Sequence, residues 1–183
     1  MEHITHNQES GSLQEAMDRY ADMLFKIAYL RLLNVHDAED VVQEVFWQYL
    51  QRTEGFEGPE HEKAWLIKVT LNACRKIWRS AWNRHRSADE LEEHNIGEIR
   101  SASDDILGPE DIVAAEDERR QLLEAVTSLP PKYRDVIHLF YYEDMSIREI
   151  AGVTGRKEST VTSQLTRARE LLRNKVREEY DFA

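Results

Sequence analysis

The sequence predicts an all-α fold: two small helical domains, an N-terminal helical bundle and a C-terminal helix-turn-helix domain, joined by an acidic flexible linker. Three observations predict it. Apolar residues recur at three- and four-residue steps, and β-branched alternation is absent. Only seven glycines and four prolines interrupt 183 residues. Charge is segregated: residues 63–86 hold seven cations and no acid, residues 87–118 hold twelve acids against Arg100 alone, and the stretch after 145 is basic again. The expected boundaries are 1–86 for the first domain, 87–110 for the linker and 111–183 for the second domain.

In the first domain, Leu13, Met17, Tyr20, Leu24, Ile27 and Leu30 mark one amphipathic helix. Asn34-Val35-His36-Asp37 breaks it, with Asp37 as the expected N-cap of the next. That second helix, DAEDVVQEVFWQYLQR, is expected to bury Ala38, Val41, Val42, Val45 and Tyr49. Asp40, Gln43, Glu44 and Trp47 fall on its other side, and an outward tryptophan is costly unless a partner covers it. A third helix starts near Pro59, where proline suits the first turn, and runs to about Trp82. Leu66, Val69, Ala73 and Ile77 form its expected core stripe, with Trp65 and Trp78 read as core residues. Lys68, Asn72, Arg75, Lys76 and Arg79, with Trp82, make a face of cations, an asparagine and an aromatic ring. Such a face suits single-stranded or melted DNA, where charge tracks the backbone and flat rings stack on bases.

The linker is rich in serine and acids and poor in large apolar residues, so it cannot fold alone. It reads as a solvated tether whose acidity also allows it to occupy a basic channel meant for nucleic acid. Gly108-Pro109 closes it, and Glu110 with Asp111 favours the start of a helix. Further on, Ser146 is placed to cap a short helix with Ile147, Ile150 and Ala151 inward, and Thr154-Gly155 ends it. A second helix begins near Glu158 and turns Val161, Leu165, Ala168 and Leu172 towards a core. Its other face carries Ser159, Thr162, Ser163, Thr166 and Arg167, with Lys157, Glu158 and Thr160 at its start. Short polar side chains plus cations suit a major groove. A plain solvated face is the alternative.

Composition excludes other classes. No apolar run approaches the roughly 20 residues that span a bilayer, and the N-terminus lacks a signal pattern; a cytoplasmic protein, not membrane-embedded, is expected. Cys74 is the only cysteine, so no disulfide framework or cysteine cluster for zinc is expected. The net charge of -11 is no obstacle to DNA binding, because nucleic acid sees the local field within about 8–10 Å.

The segments DAEDVVQEVF and AWLIKVTLNACRKIWR, an acidic linker, and LPPKYRDVIHLFYYEDMSIREIAGVTGRKESTVTSQLTRARELL together resemble the extracytoplasmic-function (ECF) group of bacterial sigma factors, the smallest members of the sigma-70 family. The resemblance spans roughly residues 13–176. It implies a specificity subunit that binds core RNA polymerase through its clamp and flap regions and directs promoter-specific initiation on double-stranded and melted promoter DNA. By matched position, Asp40, Gln43, Glu44 and Trp47 would contact the polymerase clamp. Lys68, Asn72, Arg75, Lys76, Arg79 and Trp82 would engage the −10 element. Lys157, Glu158, Ser159, Thr160, Thr162, Ser163, Thr166 and Arg167 would read the −35 element. An anti-sigma factor is an implied partner. Two departures bear on sequence preference: where the family often has Gly-Thr-Val-Lys-Ser-Arg, this chain has Ser159-Thr160-Val161-Thr162-Ser163-Gln164, and Arg75 and Lys76 replace residues that are often acidic or apolar. The short termini are read as leaving no room for an added sensor domain.

Two rival classes remain in view. A one-component helix-turn-helix regulator would explain the C-terminal pattern but not the basic-aromatic helix or the linker. An enzyme would need ligands beyond His36-Asp37, and His61-Glu62 lacks a second histidine at helical spacing. His138 lies on an apolar helix face and reads as a core or boundary residue. No catalytic residue, metal site, cofactor or small-molecule substrate is expected.

Overall fold

The computed structural model describes residues 3–85 and 121–181, with side chains over 13–79 and 121–175. The linker expected at 87–110 lies outside the described residues, as do Arg100 and the Gly108-Pro109 pair. Everything described is helix or the turns between helices. The elements are α1 (His3–Leu32), α2 (Val35–Leu50), α3 (Pro59–His85), α4 (121–127), α5 (Pro131–Tyr141), α6 (Ile147–Thr154) and α7 (Glu158–Asp181).

In the N-terminal domain α1, α2 and α3 pack on one another. Leu33 ends α1 by turning to the left-handed region at φ 54. Asn34, not Asp37, caps α2: its extended backbone lets the side chain accept from the amide of Asp37, which becomes a first-turn residue. The α2 core residues are Ala38, Val41, Val45 and Phe46, while Val42 and Tyr49 are only half-buried. The ring of Tyr49 stacks on Phe56, and both meet Trp65 edge-on. Its hydroxyl donates to Glu62 at 2.6 Å, and that of Tyr20 reaches the other carboxylate oxygen at 3.3 Å, so Glu62 ties all three helices together.

The core stripe of α3 is wider than its sequence predicts. Leu66 is buried as expected and Val69, Ala73 and Ile77 pack partly buried beside it, but Ile67, Thr70, Leu71 and Cys74 are buried too. The reason is a second neighbour: α3 packs against α6 and α1 packs against α5, so Ile27, Ile67 and Leu71 join the C-terminal core. Trp65 is partly buried in the core as expected, but Trp78 is 52% exposed. It continues the row of Ile67 and Leu71 past the edge of the C-terminal domain, where the described residues leave it uncovered.

The C-terminal domain is α5, α6 and α7 around Val136, Leu139, Ile150, Val161, Leu165 and Ala168. The sequence reading holds closely here. Ser146 and Glu149 form a reciprocal capping box at the start of α6. Gly155 ends the helix at φ 69, ψ 26, a conformation that side chains resist.

Candidate nucleic-acid interface

Two exposed helical faces carry DNA-binding chemistry. On α3, Lys68, Asn72, Lys76 and Arg79 are exposed along one stripe, and Arg75 is half-buried at its border. The side chain of Trp82 lies outside the described residues. Arg75 is engaged on both edges: Nη1 donates to Asn72 Oδ1 at 2.7 Å and Nη2 donates to the carbonyl oxygen of Thr154 at 2.8 Å. Burial, then the nearby charges of Arg31 and Arg156, lower its guanidinium below the ordinary value. Trp78 stands exposed between Arg75 and Arg79 in sequence, an aromatic surface beside cations that the periodicity hid by placing it in line with core residues.

On α7, Ser159, Thr162, Ser163, Thr166 and Arg167 are exposed, Glu158 and Lys157 flank them in solvent, and Thr160 is half-buried. The hydroxyls of Thr162, Ser163 and Thr166 donate to the carbonyls of Glu158, Thr160 and Thr162. The remaining lone pairs of these hydroxyls and the methyl groups of the two threonines are left for solvent or a ligand, a surface for base-edge donors and thymine methyls. Arg167 forms a solvent-exposed pair with Glu170 at 2.9 Å, a weak tie that a phosphate can displace. Gln164 is accounted for locally. Its side-chain oxygen accepts from Arg156 Nη1 at 3.1 Å, where a cation would meet a like charge.

A third face lies on α2. Asp40, Gln43 and Glu44 are exposed around Trp47, which is 60% exposed, with Leu50 exposed one turn on. Leu50 extends this apolar patch and was not singled out by the sequence, because it falls at the helix end where periodicity gives no orientation.

The rival enzymatic motifs stay apart. His36 is in solvent near Glu39, and His61 Nδ1 accepts from the amide of Glu57 beside Phe56. No group of three or more potential metal ligands occurs among the described residues. His138 is buried and stacks on Tyr142, as a core or boundary residue should. Among the described residues, no helix is long and apolar enough to cross a membrane.

Two helical domains, one with a capped helix-turn-helix and one with a cation-lined helix, define a DNA-binding protein of the transcription machinery. Residues 16–84 match the family described as Sigma-70 region 2, and residues 119–172 match Sigma-70, region 4. The chain is 31% identical over 142 residues to the ECF RNA polymerase sigma-E factor of Escherichia coli, covering 76% of this chain and 74% of that one. It is 26% identical over 171 residues to the ECF RNA polymerase sigma factor SigW of Bacillus subtilis, covering 93% and 91%. Among solved structures, the sigma factor RpoE of Bartonella quintana, crystallised with the anti-sigma factor NepR, has the same fold, with a TM-score of 0.74 at 20% identity over 91% of this chain and 97% of that one. The chain belongs to the ECF group of sigma-70 family RNA polymerase sigma factors. Its function is in transcription initiation, with core RNA polymerase and promoter DNA as partners.

Proposed function

We propose that the domains divide the promoter between them. The N-terminal domain, residues 1–86, binds core polymerase and engages and opens the −10 element; residues 111–183 read the −35 element and lie by the polymerase flap; residues 87–110 connect them. On this reading Asp40, Gln43, Glu44 and Trp47 contact the clamp. Lys68, Arg75, Lys76 and Arg79 hold phosphates while Asn72 and Trp82 meet bases exposed as the duplex opens. The start of α7, from Lys157 to Arg167, enters the major groove. The protein performs no chemistry of its own and works in the cytoplasm. An anti-sigma factor governs it, a partner supported by the complex of the Bartonella relative.

The observation that supports this reading is the exposure of two separate polar and basic helical faces, on α3 and α7, in different domains of one chain. The test is transcription in vitro with sigma-free core polymerase and pooled genomic fragments. Discrete products that require the protein, with start sites preceded by two shared elements, are the expected result. Substitutions in α3 should shift the proximal element and those in α7 the distal one. Shifts in the opposite sense would overturn the division.

A further inference from the structure

Arg134, near the start of α5, carries a buried charge that the described residues do not balance. Only 5% of it is exposed, and its Nε and Nη1 have no hydrogen-bond partner among the described residues. The neighbouring carboxylates are engaged elsewhere. Asp135 Oδ2 accepts from Arg31 at 2.6 Å and from Arg156 at 2.7 Å, and Glu143 pairs with Lys63 at 3.1 Å. Arg75 donates to neutral oxygens of Asn72 and Thr154. Among the described residues, five cations (Arg31, Lys63, Arg75, Arg134 and Arg156) thus share two carboxylates around the junction of α1, α3 and α5. Burial lowers the Arg134 guanidinium below its ordinary value; Asp135 opposes the drop and the like charge of Arg31 deepens it. A charge taken out of water persists only when something pairs with it.

Arg134 lines a cavity of about 10 Å³, roughly room for one water-sized sphere. Leucine and isoleucine side chains from α1, α3 and α5 close most of it, and Arg134, Asp135 and His138 supply the polar wall. His138 is as deeply buried as Arg134: its Nε2 faces Glu143 Oε1 at 3.4 Å, and its Nδ1 has no hydrogen-bond partner among the described residues. Asp135 would repel an anion if its charge were free, but two guanidinium groups already hold it. A guanidinium only donates, so what completes this site is an acceptor that brings negative charge. The space limits that acceptor to a single atom, since a carboxylate has three heavy atoms to place.

We propose that this cavity binds one halide ion, chloride in ordinary solution, held by the buried Arg134 guanidinium where α1, α3 and α5 meet. The ion supplies the counter-charge that a water molecule lacks. The apolar walls suit chloride or bromide, which give up their hydration more readily than fluoride. None of the residues assigned above to DNA or to polymerase lines the cavity, so the site stands apart from that reading. Its effect is on the native chain itself: a ligand that binds only the folded state stabilises it in proportion to its occupancy.

The test uses the full chain, with sodium bromide and sodium chloride as the probes. Crystals grown in bromide should show an anomalous peak beside Arg134 Nε or Nη1, inside the walls named above. In solution the chain should broaden the chloride NMR line. With a dissociation constant of about 10 mM, raising chloride to about 100 mM in place of gluconate should shift the unfolding equilibrium about tenfold towards the native state. Ionic strength stays fixed throughout, so screening does not contribute. Arg134→Met should lose both the broadening and the chloride response, while Arg148→Met, at an exposed position on α6, should keep them. Circular dichroism shows whether Arg134→Met is folded; if it is not, the bromide crystals of the wild type decide alone. A cavity that shows no anomalous signal, or one filled by water or by a carboxylate of the chain, would overturn the proposal. So would broadening that survives Arg134→Met in a fully helical variant.

Discussion

Asn72 and Arg75 are joined by a 2.7 Å hydrogen bond, so the α3 face proposed to meet the −10 element is partly organised before DNA arrives. Asn72→Ala removes an exposed side chain without opening a core. Promoter opening should fall about tenfold, the worth of one hydrogen bond to a charged group near 1.4 kcal/mol, while association with core polymerase persists. Permanganate reactivity of unpaired thymines and co-purification with core enzyme measure the two separately; loss of both together would point to misfolding. Cys74 behaves oppositely, as a thiol with no outward role. Burial, chiefly, pushes it up to about 12, with Asp135 adding to the rise and Arg31 and Arg75 opposing it. It should stay unmodified by a thiol-labelling reagent at pH 8 in the native chain and react promptly in urea; rapid native labelling would show that the α3 core opens.

At the scale of the element, the helix-turn-helix was the most legible part of the chain, because its signals are local. Ser146 and Gly155 act within one turn of themselves, and the structure places each where the sequence predicts, with Glu149 completing the cap. Gly155→Ala should cost about 1–2 kcal/mol, since a Cβ meets no atom there and the penalty is backbone strain alone. Gly152→Ala, inside α6 with open space around it, should stabilise by about 0.5–1 kcal/mol. Urea titrations of both variants test the pair; equal signs would contradict the left-handed turn. Less local features were less legible. Asn34 and Asp37 are both good caps, and only the extended backbone of Asn34 decides between them. Phe46, Ile67 and Leu71 could not be assigned to a core by periodicity, because their burial depends on which helices meet. Trp78 was misread for the same reason, its row being covered by the other domain only as far as Arg75.

For the whole molecule, the sequence supplied both domains and the charge blocks, but not their mutual contact, which is carried by residues far apart in the chain. Glu143 shows the consequence for pH. Burial alone would raise its carboxyl, yet the contacts with His138 and Lys63 outweigh that and hold it below its ordinary value of 4.5. The ring nitrogen of His138 stands 3.4 Å from Oε1. A carboxyl lowered by folding contributes stability that is complete above its unfolded value and disappears as pH falls through the lower folded value. Glu143→Gln lacks that contribution. The stability gap between the wild type and this variant, on the order of 1 kcal/mol, should therefore hold steady from about pH 7 to 5 and narrow as acid protonates the wild-type side chain. Urea midpoints across that range measure it. A gap that widened on acidification would mean that folding raises this carboxyl, and that the Lys63–Glu143 pair does not outweigh its burial.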